Sequence, residues 1–373
     1  MSMSVNPREL FRFIRAKGLL ALALLFVLPL RAAEPLTIPL ANRSEVLVVR
    51  EPRATTAFVA QPEAVAEMFD KGLLAFANAP TAKEAWGTLI APTDIVGIKV
   101  HAAAGATSGT RPAVVEALIR SLITSGHPAT NIIIWDRRLT ELRLAGYSRL
   151  ASKLGVQITS ALDEGYDPEV FYEHRIFGKP IWGDLEFGKE GPEIGRKSYV
   201  TKLLTKRVTK IINVPPLLNH NVAGVAGNLF TLAMASVDNN LRFQNNIDLL
   251  ATTVPEIYAL PEVGDKVVLN IVDALVAQYQ GEETIALHYA KPLNELRFSK
   301  DPVALDLLSI HELNRQRETY GVPIPKPPFH LFENASLLEL GNTDVRKIQL
   351  ELIGPAARDQ SSAMVTNKPA SGS

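Results

Sequence analysis

The spacing of apolar positions switches repeatedly between the two-residue and the three-to-four-residue period. Ser44 to Arg50 (SEVLVVR) is a short β-branched run that predicts a strand. From about Gln61 to Asn78 the apolar residues Val65, Met68, Phe69, Leu73 and Phe76 fall three or four apart, with Pro62 near the start, which predicts a helix. A second helix is predicted over Thr81 to Leu89, where Thr81 stands three residues before Glu84 as a capping pair. Asp94 to His101 (DIVGIKVH) reads as a strand, and 102–109 as a loop of small residues. Thr110-Arg111-Pro112 opens a helix to about Thr124, with Thr110 as N-cap, Pro112 in the first turn and Gly126 beyond the end. Asn131 to Asp136 (NIIIWD) is an almost wholly apolar strand, as expected where both faces of a parallel sheet are covered. A helix from about Leu139 to Leu154 and a strand from Val156 to Ser160 follow. The order β-α-β-α-β predicts an α/β fold, a mostly parallel, doubly wound sheet with helices on both faces.

Residues 161–198, rich in Gly, Pro and aromatics without clear periodicity, read as an irregular inserted subdomain. The core resumes with the strand Lys210 to Val214 (KIINV), the pair Pro215-Pro216 and the polar triplet Asn219-His220-Asn221. A buried helix is expected within Asn221 to Val237, and a strand over Lys266 to Val272 that stops at Asp273. Asp301-Pro302 caps a helix reaching about Tyr320. The predicted organisation is a signal peptide over 1–33, core segments 34–160 and 199–354 around the 161–198 insertion, and a disordered Ser/Ala-rich tail over 355–373.

The signal-peptide reading rests on a basic start (Arg8, Arg12, Arg15, Lys17), the uncharged apolar stretch Gly18 to Leu30, and Arg31-Ala32-Ala33 at the cleavage region. A membrane span needs about 20 apolar residues, and this stretch falls short. The absence of an adjacent arginine pair from the basic start favours the general export route, so a periplasmic or secreted location is expected, with no membrane contact after cleavage. Cleavage takes away five Lys/Arg and one acid, leaving 34 basic against 38 acidic residues and a formal charge of −4. That balance gives no general attraction to nucleic acid. The chain has no cysteine, which excludes an iron–sulfur cluster, a Cys-based zinc site and a thiol nucleophile. Oligomeric state is left open.

Several stretches together resemble a bacterial family known only as domain of unknown function 362. They include Asp94-Ile95-Val96-Gly97-Ile98-Lys99-Val100, Ile132-Ile133-Ile134-Trp135-Asp136-Arg137 and Ala145-Gly146-Tyr147. Further along come Ile212-Asn213-Val214-Pro215, His220-Asn221, Ala223-Gly224-Val225, Leu232-Ala233-Met234 and Ser236-Val237-Asp238-Asn239. Asp301-Pro302-Val303-Ala304-Leu305-Asp306 and Pro327-Pro328 close the series, so that it covers roughly 44–350 in order. Some relatives carry cysteine clusters and are labelled iron–sulfur proteins; that label cannot transfer to a cysteine-free chain. Where the family tends to show a lysine before the His-Asn pair this chain has Leu218, where it shows Lys-Asn in the next helix it has Phe230-Thr231, and an asparagine after the Gly-Ile-Lys-Val strand is His101.

In an open parallel sheet, ligands bind beyond the carboxyl ends of the strands near a topological switch point. Three predicted strands end in polar residues: Lys99 and His101, Asp136-Arg137, and Asn219-His220-Asn221. If parallel, these ends converge on one rim with the helix start at Thr110, whose free N–H groups favour a carboxylate or phosphate. A small anionic or oxygen-rich ligand is therefore expected, with His220 and His101 as acid–base candidates and Lys99 and Arg137 as anion contacts. Asp136, Asn219, Asn221, Asp238 and Asn239 are further ligand contacts, although Asp136 and the 238–240 segment serve equally well as helix caps. Whether the ligand is transformed or only bound is not decided by these residues. His101, Asp136 and His220 form a donor set that iron or zinc accepts, but no H-x-x-E-H or H-E-x-x-H spacing accompanies them, so a metal is left open. The 102–109 loop lacks the spacing of a dinucleotide or Walker fingerprint, and no G-x-S-x-G elbow is present.

Overall fold

The computed structural model describes residues 43–174, 196–244, 246–326 and 329–355. The predicted signal peptide lies outside the described residues, as do nearly all of the predicted tail and the middle of the 161–198 segment. The strands are β1 (Ser44–Arg50), a small hairpin β2 (Thr55–Thr56) and β3 (Val59–Ala60), β4 (Val96–Val100), β5 (Ile132–Asp136) and β6 (Gln157–Ser160). They continue with β7 (Tyr166–Glu173), β8 (Lys197–Thr201), β9 (Lys210–Val214), β10 (Pro216–His220) and β11 (Gly224–Val225). The last three are β12 (Val267–Gln278), β13 (Ala290–Ser299) and β14 (Ile348–Ile353).

Among the described residues one ten-stranded sheet has eight strands in the order β14-β1-β13-β12-β9-β4-β5-β6, with β10 branching off β12 and β11 paired to β10. Every neighbouring pair along it is parallel except the two made by β13, which is antiparallel to both β1 and β12. The fold is thus the mostly parallel α/β sheet that the alternation of periods predicts. Strand β5 shows why its sequence has no polar face. Ile132 and Ile134 pack against the helices Pro62–Phe76, Pro112–Thr124 and Tyr147–Leu154 on one side. Ile133 and Trp135 join the helices Asn228–Ser236, Ile247–Tyr258 and Pro302–Thr319 on the other.

The two directions of winding part between β4 and β9. The connection from β4 leads through Pro112–Thr124 to β5 on one side of the sheet. The connection from β9 leads through Asn228–Ser236 and Ile247–Tyr258 to β12 on the other. The loops that leave β4 and β9 therefore diverge, which opens a crevice at their carboxyl ends.

Local departures from the predicted elements have identifiable causes. The helix expected over 139–154 is two, Leu139–Leu144 and Tyr147–Leu154, separated at Gly146, whose φ of 92° lies in the left-handed region that glycine favours. The strand expected to stop at Asp273 continues to Gln278, because its second half leaves β9 and pairs with β10 instead. Pro215 marks that handover, and its carbonyl accepts the Asp273 N–H at 2.9 Å. The strand β13 and the helices Ile247–Tyr258 and Phe329–Leu337 had no clear signature in the period analysis. Within 161–198 the described ends form a separate two-stranded antiparallel sheet of β7 and β8.

Asp306, in the second turn of its own helix, caps a neighbouring one. Its carboxylate accepts the Asn228 N–H at 2.6 Å, the Leu229 N–H at 3.0 Å and the Asn228 side-chain N–H at 2.8 Å, closing the start of Asn228–Ser236. Burial pushes its pKa up to about 6 despite these bonds. Asp306→Ala should therefore lower the unfolding free energy at pH 7 by about 3 kcal/mol, the loss expected when several buried donors lose one charged acceptor. Urea unfolding of the two proteins measures it, and a change below ~1 kcal/mol would contradict this capping role.

Candidate functional site

The site is built outward from Lys99. It lies on the same side of β4 as Gly97 does, and its register partners are Trp135 on β5 and Asn213 on β9. Its Nζ passes 5.7 Å from the centre of the Trp135 ring and reaches Asp136 Oδ1 at 2.9 Å. Both side chains are buried, 1 % and 5 % exposed, so this is a desolvated ion pair. Asp136 spends its remaining capacity on backbone: Oδ2 accepts the Ala102 N–H at 2.7 Å, and Oδ1 accepts the Arg137 N–H at 2.8 Å. Burial works to raise the Asp136 pKa, but Lys99, His101 and these bonds outweigh it and hold the carboxyl below its ordinary value. Asp136 thus serves the loop starts after β4 and β5 and caps no helix by its side chain, since Leu139–Leu144 starts without a side-chain cap.

The loop after β4 doubles back over His101. Thr110 was expected to cap the next helix, but Arg111 occupies that position. The Thr110 hydroxyl accepts the His101 N–H at 2.9 Å and donates to the Val214 carbonyl at 2.6 Å, while the Thr110 N–H donates to the His101 carbonyl at 2.9 Å. Thr110 therefore stitches β4 to β9. Gly109 permits this close crossing, because a Cβ there would stand 2.5 Å from the His101 carbonyl oxygen. The helix start that was expected to receive an external anion already holds an internal one. Asp273 accepts the Arg111 N–H at 2.8 Å and its guanidinium Nη1 at 2.9 Å. Asp273 is fully buried.

His101 is 6 % exposed, and its Nε2 is buried without a hydrogen-bond partner among the described residues. The nearest carboxylate is Glu283, 3.7 Å away, which is too long for a hydrogen bond. Burial, opposed by Asp136 and reinforced by the charges of Lys99 and His220, brings the His101 pKa down to about 4, so the ring is neutral at pH 7. His220 lies near enough to contribute to that shift. Its Nδ1 accepts the N–H groups of Val222 at 3.2 Å and Ala223 at 3.0 Å, which leaves the proton of the neutral ring on Nε2. Its ring packs 4.2 Å from the centre of Phe230, and burial lowers its pKa as well.

A segment that the sequence reading passed over covers this mouth. The loop after β12 carries Glu282 and Glu283. Gln278 fixes it by donating to the carbonyls of Glu282 at 3.2 Å and Thr284 at 2.9 Å and by accepting the Ala286 N–H at 3.1 Å. Asn219 accepts the Glu282 N–H at 3.0 Å, and the Glu282 carboxylate accepts the Asn221 N–H at 2.7 Å. Asn219 and Asn221 are also joined to each other at 3.3 Å. The only sequence signal for this loop was a pair of acids beside glycine, which resembles any exposed turn.

The structure therefore brings together Lys99, His101, Asp136, Arg137 and His220, with Asn219 and Asn221 holding the loop. Asp238 and Asn239 are engaged with β8: Asp238 accepts the Tyr199 N–H at 2.6 Å, and Asn239 donates to the Lys197 carbonyl at 3.2 Å. The neighbouring Asn240 reaches the site, accepting a hydrogen bond from the Arg137 guanidinium. Among the described residues no group of three or more His, Asp or Glu is placed to hold a metal ion. Both oxygens of Asp136 are already engaged, so the donor set weighed from sequence does not form one.

A family model described as domain of unknown function 362 matches residues 96–311, which spans β4 to the middle of the helix Pro302–Thr319. The chain belongs to this family. No curated protein matches it. Among solved structures it is similar to a crystal structure of a Thermotoga maritima protein, a structural-genomics target, with 11 % identity and a TM-score of 0.38. That match covers 70 % of this chain and 60 % of the other, so this chain spans less than two thirds of its length. No helix among the described residues is long and apolar enough to cross a membrane.

Two outcomes follow from the buried charges. Lys99→Met leaves Asp136 buried without its counter-ion and should cost about 3–5 kcal/mol, read from urea unfolding; a loss under ~1 kcal/mol would mean that the pair is solvated. His101 binds fewer protons folded than unfolded between pH 4 and 6.5, so the protein is most stable above pH 6.5 and loses stability as pH falls toward 4. With the pKa brought from 6.5 down to about 4, the loss across that window is about 3 kcal/mol. His101→Gln should flatten that part of the stability–pH curve, and an NMR titration of the ring should find its midpoint near 4.

Proposed function

We propose that this chain is an exported protein that binds a small oxygen-rich ligand at the carboxyl ends of β4 and β5. His101 is the group that meets the ligand, and His220 beside it is the second acid–base candidate. One observation supports this reading: the Nε2 of His101 is buried at the switch point of a doubly wound sheet with no hydrogen-bond partner among the described residues. A buried polar atom left unbonded costs about 1–3 kcal/mol, and at a strand-end crevice its natural partner is a ligand oxygen. Lys99 and Asp136 position the loop starts around it. The neutral ring of His101 is able to give or accept one hydrogen bond and, in an enzyme, to exchange a proton with a hydroxyl or carbonyl oxygen. The export part of the proposal rests on the apolar stretch Gly18 to Leu30 and its basic flank.

A second reading, a non-catalytic binding protein, is favoured by the residues that replace the family's lysines. Leu218 and Phe230 are buried apolar side chains here, and the Thr231 hydroxyl is spent on the Gly227 carbonyl at 2.8 Å. The Asn219-His220-Asn221 turn also satisfies much of its own hydrogen bonding. Turnover of an identified ligand separates the two readings.

The protein recovered from the periplasm of an expressing bacterium should begin at Ala33 or Glu34, and should gain thermal stability from a member of a library of small polyols, sugars and hydroxy acids. At a hundredfold excess over Kd the gain is ~2.7 kcal/mol. His101→Gln should weaken that ligand at least tenfold, while its own melting temperature at pH 7 stays within a few degrees. Undiminished affinity in His101→Gln, or an uncleaved N-terminus, would overturn the corresponding part.

A further inference from the structure

The cations at the strand-end rim are matched with carboxylates, with one exception. Lys99 has Asp136 at 2.9 Å, Arg111 has Asp273 at 2.9 Å and Arg138 has Glu141 at 2.9 Å. Arg137, half-buried, has no carboxylate of the described residues within 4 Å, and its one side-chain hydrogen bond goes to the amide oxygen of Asn240. Its Nε is buried without an acceptor among the described residues. Burial already works against its charge. A partly desolvated guanidinium with five donors and one neutral partner lacks the planar anion that its geometry suits best.

Its position matters as much as its charge. Strands β4 and β5 are paired in register as far as Lys99 and Trp135 and end at Val100 and Asp136, so His101 and Arg137 are the first residues beyond two neighbouring strands. Neighbouring strands stand about 4.8 Å apart, so the backbones that carry the guanidinium and the neutral imidazole start from adjacent strand ends. Asp136 fixes both, through the Arg137 N–H and the N–H of Ala102, which follows His101. Glu283 faces His101 Nε2 at 3.7 Å, and an oxygen resting beside both at about 2.8 Å is within hydrogen-bond reach of each. A hydroxyl, which donates and accepts at once, suits that place. A phosphate is less suited: the helix N-terminus at this rim is filled by Asp273, and a single guanidinium matches one carboxylate.

We propose that the ligand of this mouth is a small hydroxy-carboxylate, its carboxylate held by Arg137 and its hydroxyl set between His101 and Glu283. This narrows the reading of the mouth as a ligand site and rests on it. The test is calorimetric titration of the exported protein with glycerate, malate, tartrate and gluconate, each against its uncharged polyol. At least one acid should bind tenfold or more tighter than its polyol. Arg137→Gln should remove that preference, and Arg137→Lys, which keeps the charge without the fork, should restore part of it. Circular dichroism checks both variants, and Arg137→Lys carries the test if Arg137→Gln does not fold. The proposal is overturned if no acid binds better than its polyol, or if the preference survives in Arg137→Gln. Should acid and polyol bind alike and both be lost in His101→Gln, the mouth stands and only the carboxylate recognition falls. Binding that responds to neither substitution overturns the mouth as well.

Discussion

The ion pair of Lys99 and Asp136 is the constraint on which the rim depends. A carboxylate and an ammonium removed from water are tolerated only if they meet each other and if the remaining lone pairs are also satisfied. Asp136 meets this condition by taking one N–H from the chain leaving β4 and another from the chain leaving β5. Electrostatic need at one buried atom group thereby fixes the directions in which two loops depart. His101 and Arg137 owe their places to it, although neither is bonded to the Lys99 side chain.

The same economy recurs at two helix starts near the middle of the sheet. Asp273 fills the start of Pro112–Thr124, and Asp306 fills the start of Asn228–Ser236. Each carboxylate comes from an element distant in sequence, so each bond also joins parts of the fold. Helix starts that serve phosphate ligands in other α/β proteins are structural joints in this one. On the reading proposed above, recognition falls to a neutral imidazole, a guanidinium and the oxygens of a surface loop. These groups favour direction and fit over strong attraction.

Much of the scaffold was legible because its signals are local. The β-branched run at 44–50, the apolar strand at 132–136 and the capped helix after Asp301 occur in the structure within a residue or two of the predicted bounds. The convergence of His101, Asp136 and His220 followed from the parallel order alone. What was not legible depends on contacts far apart in sequence. Thr110 looks like a helix cap until Val214 is placed beside it, and Asp273 looks like the end of a strand until β10 extends the pairing. Lys99 as an anion contact and Lys99 as half of a buried pair are indistinguishable in a string of letters, since the difference is the position of one carboxylate 37 residues away. Strand β13 was missed because Lys291, Asn294, Glu295 and Arg297 interrupt its apolar pattern, and their neighbours in space, not in sequence, make room for them.

The far half of β12 has a consequence for the entrance of the crevice. Beyond the end of β9 this strand stays in the sheet between β10 and β13, with Leu275 in one core and Ala274 and Ala277 in the other. The tip that follows, from Gly281 to Ala286, is anchored mainly by amide side chains, Gln278 and Asn219. Lengthening, shortening or rewriting that tip leaves the buried pairs untouched, so the threshold of the crevice is free to vary while its floor stays constant. The end of one strand thus shapes the entrance separately from the packing of either core.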